Sequence, residues 1–223
     1  MENEKLLQLQ LALFFDTPEK RPDKLINKID DVLESVFDQM PTILPIPDDA
    51  PPEIPTVIMQ SSDGKYGCNI ARSRIDFVIN YNNSQSASVQ LEEFMERIRP
   101  FAALIFGYKN IIRFGLVGKY FFKNNNAIKQ IQTQYLKKDL GPLEELQIRY
   151  NKRFASKGLI VNDVVEISQA TMAENGRGDQ FGVAIQKDVN NVAVSSLKIE
   201  DVISIILEKK DEFKLSSIMG LIR

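Results

Sequence analysis

Alternating apolar and polar residues open the chain. Every second residue from position 7 to position 13 is a leucine, and this period of two predicts a strand with one face in the core. From position 25 to position 40 the apolar residues instead recur every three or four positions, which predicts an amphipathic helix. The chain therefore begins with a strand followed by a helix.

A second run of elements follows at residues 56–105. Three short alternating segments predict strands, and Asp63-Gly64 between the first two supplies the positive φ angles of a tight hairpin turn. Apolar residues at helical spacing then run from Phe94 to Ile105. Pro100 lies inside this stretch, and we expect it to kink the helix.

The same order of six elements is predicted again from Ile112 onward, with Lys157-Gly158 as the turn of a second hairpin. The sequence therefore predicts an α+β fold of two βαβββα-like halves, residues 1–106 and 107–223, with antiparallel sheets and helices packed on one face. We interpret the repeat as an internal duplication packed as one globular unit. One continuous sheet and two separate sheets both fit the pattern.

Residues 41–55 contain six of the ten prolines of the chain. Proline lacks a backbone N–H and has a fixed φ angle, so this density excludes both a helix and a central strand. We expect an extended connector that crosses one end of a sheet. The alternative is a polyproline-like ligand for another domain.

Two segments of the chain, the hairpin at 61–65 and the strand at 113–117, resemble segments of a known protein family. Ser61-Ser62-Asp63-Gly64-Lys65 is similar to its "S-x-D-G-[RK]" hairpin, and Arg113-Phe114-Gly115-Leu116-Val117 to its "R-[IF]-G-L-[RV]" strand. The family is sporadically distributed, bacterial and phage-associated, and has no established activity. The resemblance covers residues 5–125, and Tyr120-Phe121-Phe122 departs from the family's Tyr-x-Asn. It implies a shared fold and leaves the function open.

The composition excludes several kinds of chemistry. The chain has no histidine and a single cysteine, Cys68. Histidine-dependent nucleophilic catalysis, His-ligated zinc and a four-cysteine zinc site within one chain are therefore ruled out. Carboxylate, lysine, tyrosine and arginine chemistry remain, together with a hard metal held by oxygen atoms.

The charge and the single thiol also bear on location and partners. The formal net charge is −2, whereas a dedicated nucleic-acid binder usually carries a strongly basic field. One cysteine cannot form an intramolecular disulfide, which fits a reducing compartment. The apolar residues near the N-terminus are interrupted by glutamines and are too short to span a bilayer. We expect a cytoplasmic protein without membrane association.

Basic and aromatic residues on the predicted strands form the first candidate site. If their polar faces adjoin, they could bind single-stranded nucleic acid by stacking and by phosphate contacts. A solvated sheet face is the simpler interpretation. The candidate residues are Arg72, Arg74, Arg113, Lys119, Arg149, Tyr120 and Tyr150.

Two further candidate sites are polar. Asp163, Glu166 and Asp188 could supply oxygen ligands to a divalent metal, but their spacing matches no known metal motif and solvated strand ends are the favoured interpretation. Gly176, Arg177 and Gly178 could bind an anion, because glycine N–H groups approach phosphate closely. The segment precedes a strand rather than a helix, which is more typical of a hairpin loop.

These observations lead to one expected function and two alternatives. We expect a non-enzymatic interaction module, an accessory component of a bacterial or phage assembly. It would bind a protein partner or itself through a sheet surface, an edge strand or the C-terminal helix, without a cofactor. The alternatives are a single-stranded nucleic-acid binder and a metal-dependent hydrolase with an all-oxygen site.

Overall fold

The computed structural model describes residues 4–47, 49–81, 85–138, 140–174 and 178–223. The strands are β1 (Glu4–Phe15), β2 (Thr42–Ile43), β3 (Pro55–Gln60), β4 (Tyr66–Ala71), β5 (Arg74–Asn80), β6 (Ile111–Lys123), β7 (Gln147–Ser156), β8 (Leu159–Glu174) and β9 (Gly178–Asn191). The α-helices are α1 (Ile26–Val32), α2 (Ala87–Tyr108), α3 (Ala127–Tyr135), α4 (Ile199–Lys209) and α5 (Leu215–Met219). Single 3₁₀ turns, Pro22–Leu25 and Lys210–Phe213, precede α1 and follow α4.

All nine of these strands form one antiparallel sheet in the order β2-β3-β4-β5-β1-β6-β9-β8-β7. Read outward from the centre, β1-β5-β4-β3 in the first half matches β6-β9-β8-β7 in the second. The predicted α+β fold with its two βαβββα-like halves is confirmed, and the sheet is continuous. A common ancestry of the halves stays an interpretation.

The two halves join where β1 pairs with β6. Leu11 stands opposite Leu116 and Leu13 opposite Phe114, so apolar side chains meet across the junction on one face. An irregularity in the register lies between Leu6 and Gln8. The prediction that every leucine from position 7 to position 13 faces the core is therefore wrong for Leu7. The bulge leaves this side chain only half-buried.

The helices pack against the face of the sheet that carries Leu9, Leu11 and Leu13. The ring of Phe77, on the same face of β5, lies 6.3 Å from the ring of Phe94 and 5.4 Å from that of Phe101, both in α2. These side chains belong to a single apolar core that extends through both halves. The expectation that the helices lie on one face is confirmed.

The first helix is shorter than its apolar spacing predicts. It ends at Val32, and Glu34 and Ser35 have φ angles of 64° and 56°, which turn the chain away from the helical path. Met40, predicted to lie on the buried stripe, is 92% exposed. By contrast, α2 continues through Pro100 without ending.

The C-terminal segment closes the helix-covered face over the middle of the sheet. Tyr120 in β6 is only 1% exposed, and its hydroxyl donates a hydrogen bond to the carbonyl of Phe213 at 2.7 Å. Its ring reaches this position by lying over Gly118, two residues earlier on the same face. A Cβ atom at Gly118 would come within 2.6 Å of the Tyr120 hydroxyl and 2.9 Å of the Phe213 ring.

We predict that Gly118→Ala destabilises the protein by about 2 kcal/mol, because the added methyl group displaces Tyr120 and Phe213. Gly115→Ala is the matched control, since a Cβ atom there meets nothing nearer than 3.8 Å. Its effect should stay within about 0.5 kcal/mol. Urea unfolding of both variants measures the difference, and equal stabilities would contradict this packing.

Candidate binding surface on the open sheet face

The face of the sheet opposite the helices forms the candidate site, which we call the open face. Register places one line of residues directly across seven strands. This line consists of Asn69, Asp76, Ala12, Gly115, Asn190, Asn162 and Arg153. The two smallest residues of this line, Ala12 and Gly115, lie in its middle. They leave a shallow depression between polar groups on both sides, and we call this depression the floor.

Asp76 borders this floor on the side of the first half. It is 3% exposed, and it accepts hydrogen bonds from the Gln10 side-chain amide at 2.9 Å and from Arg74 Nε at 2.8 Å. Burial raises the pKa of Asp76, and Arg74 and Gln10 offset only part of that rise. A carboxylate held in this way orients Arg74 along the open face.

A half-buried aromatic ring lies next to the floor. Phe14 in β1 stands opposite both Arg74 and Arg113, whose guanidinium carbons lie 5.3 and 5.1 Å from its ring centroid. The two guanidinium groups therefore share one ring, and the ring quadrupole stabilises each of them through a cation–π interaction.

Polar atoms without partners lie on the second-half side of the floor. Within the described part of the chain, Asp188 Oδ1 and Arg113 Nε are buried and make no hydrogen bond. Asp188 leans toward Gly115, with Oδ1 3.8 Å from the position of a Cβ atom there. Burial raises the pKa of Asp188, and Asn190, Arg113 and Arg149 counteract it only in part. Unpaired buried polar atoms are costly, and they call for an explanation where they occur.

The basic and aromatic candidates divide between different places. Arg74, Arg113, Lys119 and Arg149 all lie on the open face, spread over the strands from β5 to β7. Arg72 instead lies in the turn after β4 and donates to the carbonyl of Ala50 in the proline-rich connector.

The tyrosines predicted for this surface are on the other side of the sheet. Tyr120 is buried under Phe213, and the Tyr150 ring packs 6.4 Å from that of Tyr135 on the helix-covered face. Their assignment to a nucleic-acid surface is therefore wrong, because neither ring is available for base stacking on the open face. The reason is the strand period of two: Lys119 faces out, so its neighbour Tyr120 faces in.

The three carboxylates predicted to bind a metal are also separated by the sheet. Asp163 lies on the helix-covered face, where its Oδ1 accepts a hydrogen bond from Lys187 Nζ at 2.6 Å. Glu166 and Asp188 lie on the open face. Within the described ranges no cluster of three or more histidine, cysteine or acidic side chains is placed to hold a metal ion. The prediction of a shared metal site is therefore corrected.

The predicted anion-binding loop falls mostly outside the described residues, which include Gly178 but neither Gly176 nor Arg177. Gly178 begins β9 with a φ angle of 74°. A cleft of about 690 Å³ lies nearby between α3, the segment 141–144 and the ends of β8 and β9. The sequence pattern gave no indication of this cleft.

Comparisons with known proteins give no assignment: no family model and no curated protein matches the chain. The resemblance to the bacterial and phage-associated family stays a prediction. Among the helices that the structure describes, none is both long enough and apolar enough to cross a bilayer.

The sequence reasoning missed Phe14, Gln10 and Asn162 as parts of the surface. Gln10 and Phe14 do alternate with the buried leucines of β1, and this signal was sufficient to place them on the polar face. Their proximity to Arg74, Arg113 and Asn190 depends on which strands pair, which the alternation does not encode.

A second charged cluster, on the helix-covered face, holds the C-terminal segment to the sheet. Lys187 Nζ contacts Asp163 at 2.6 Å and Glu212 at 2.8 Å, and Lys209 Nζ contacts Glu212 at 2.7 Å. Burial alone would raise the pKa of Glu212, but hydrogen bonds from the two lysines outweigh it and hold the pKa at about 2. The cluster thus fastens the 3₁₀ turn Lys210–Phe213 over β9.

We predict that this cluster makes stability depend on pH. The pKa of Glu212 is lower in the folded protein than its ordinary value of 4.5. Its stabilising contribution is therefore complete above pH 4.5 and is lost as the pH falls toward 2. Glu212→Gln should show a smaller loss of unfolding free energy between pH 7 and pH 3 than the unchanged protein. Glu208→Gln, an exposed neighbour, is the control, and identical pH profiles for all three proteins would refute the role of Glu212.

Proposed function

We propose that the protein is a non-enzymatic binding module that holds a protein partner, or a second copy of itself, on the open face. The observation that carries the proposal is the polar face of a nine-stranded sheet, which none of the described helices covers. With strands about 4.8 Å apart, this face is about 40 Å wide. A 20 Å length of it provides about 800 Å², the area that each partner contributes to a standard protein interface.

The distribution of charge favours a protein over a nucleic acid. Acidic Asp76, Glu166 and Asp188 are interspersed with Arg74, Arg113, Lys119 and Arg149 on the same face. A phosphate backbone crossing this surface would approach carboxylates as well as cations. A protein surface, with both signs of charge and with peptide donors and acceptors, can match such a pattern.

Among the described residues, the open face has no fully exposed aromatic ring on which a base could stack, which supports the same choice. Proteins that bind single strands without base specificity stack bases on exposed aromatic rings. On the open face Phe14 is half-buried and is flanked by two guanidinium groups, and Tyr120 and Tyr150 face the other side. Arg74, Arg113 and Arg149 on this face can instead donate hydrogen bonds to side-chain carboxylates and backbone carbonyls of a protein partner.

A site-specific photo-cross-linker tests the proposal in cells that naturally produce the protein. The cross-linking residue replaces Gln186, which is exposed on the open face opposite Lys119. The matched control carries it at Glu96, which is exposed on α2. We expect a discrete protein adduct or a dimer of the chain from position 186 only. Lys119→Glu should lower the yield of this adduct about fivefold, because the substitution reverses a charge within the interface.

Three outcomes would overturn the proposal. The first is the same set of adducts from both positions, and the second is no adduct from position 186. The third is an adduct that nuclease removes, which would assign the open face to nucleic acid instead.

A further inference from the structure

The two edges of the sheet differ in how readily they accept another strand. β2 has two residues, and Pro45 and Pro47 follow it closely, so it offers almost no free ladder. β7 is ten residues long and contains neither proline nor glycine. An edge strand of this length and composition is a template for pairing with another chain.

The hairpin turn determines which backbone groups of β7 point outward. Lys157 and Gly158 have φ angles of 51° and 74°, as in a two-residue turn with φ positive at both positions. Such a turn makes Ser156 and Leu159 a hydrogen-bonded pair, and bonded and non-bonded pairs then alternate along the hairpin. Arg149, Asn151 and Arg153 therefore direct their N–H and C=O groups away from β8. Outside the sheet ladders, no described backbone group bonds to them.

The charge of the edge is uniformly positive. The segment 147–157 has basic residues at Arg149, Lys152, Arg153 and Lys157 and no acidic residue. Arg149 reaches Glu166 only at 3.9 Å, between two well-exposed side chains. Within the described residues, Arg153 Nε bonds only to the Asn162 amide oxygen. Lys152 lies on the helix-covered face, opposite Asp163 and 5.7 Å from the Tyr150 ring. Lys157 Nζ lies 3.6 Å from Glu208, so the positive charge left for a partner is mainly that of Arg149 and Arg153, which share the open face.

We propose that the β7 edge is the docking site for an acidic, extended segment of a partner protein, which adds a tenth strand to the sheet. Main-chain hydrogen bonds to Arg149, Asn151 and Arg153 would provide affinity, and acidic side chains beside the arginines would provide selectivity. A second copy of the chain fits poorly, since antiparallel pairing of two β7 strands brings two sets of cations together.

This inference rests on the proposed function, because alternate side chains of the added strand would continue the open face. The two remain separable by experiment. Failure of the proposed function removes the cross-link at position 186. Failure of this inference leaves that cross-link in place and leaves the outward amides of β7 unprotected.

Amide hydrogen exchange followed by NMR is the test, with synthetic peptides as probes. One peptide alternates threonine and glutamate over the ten-residue length of β7, and the matched control has lysine in place of each glutamate. We expect the glutamate peptide to slow exchange of the amides of Arg149, Asn151 and Arg153 by about tenfold or more at millimolar concentration. The inward amides of Tyr150 and Lys152 should change little, and the lysine peptide should have no effect.

Two variants make the test specific. Asn151→Pro removes one outward N–H without a loss to the β7–β8 ladder, and it should abolish protection by the glutamate peptide. Reversing both charges, with Arg149→Glu and Arg153→Glu, should weaken the glutamate peptide about tenfold and allow the lysine peptide to bind. Protected inward amides confirm that each variant is folded. Equal binding of both peptides, or no protection by the glutamate peptide, would overturn the inference.

Discussion

The architecture depends on the pairing of β1 with β6. These strands are the first element of each half, and their antiparallel ladder runs from Glu4 opposite Phe122 to Phe15 opposite Ile111. Because apolar residues alternate in step on both strands, the pairing aligns the apolar face of one half with that of the other. A shift of one residue would turn the leucines of β1 toward water and break the shared core.

Continuity of the sheet has two consequences for function. The helices of both halves cover the same face, so the polar residues of both halves are left on a single open face. Because β1 and β6 pair with each other, neither is an edge strand. The edges of the sheet are therefore β2 and β7. The full width of the open face thus depends on the joining of the halves through these central strands, although the β7 edge belongs to the second half alone.

Local patterns in the sequence were sufficient for much of the fold. Alternation and turn residues such as Asp63-Gly64 and Lys157-Gly158 depend only on residues close together in sequence. They were sufficient to predict the strands and the division into two halves. The end of α1 at Val32 escaped them, because apolar residues continue at helical spacing beyond the point where Glu34 and Ser35 turn the chain. Whether the strands formed one sheet or two also depended on contacts between distant segments.

The candidate site was predictable only in part, for a related reason. Charged residues were readily located on strands, but their face depends on the register. A single step separates Lys119 on the open face from Tyr120 in the core, and Asp163 and Asp188 are on opposite faces although their strands are neighbours. Buried polar groups such as Asp76 and Asp188 became apparent only once cross-strand neighbours were known. The open face is a property of pairing rather than of any motif.

Native-state hydrogen exchange of the β1 and β6 amides is the most direct test of the continuous sheet. If the junction unites the halves, these amides should exchange only through global unfolding, with the same free energy in both strands and with the denaturant dependence of the whole chain. Their protection should also match that of the core amides in β5 and β9. Exchange of one half through a separate opening of lower free energy, while the other stays protected, would contradict the account.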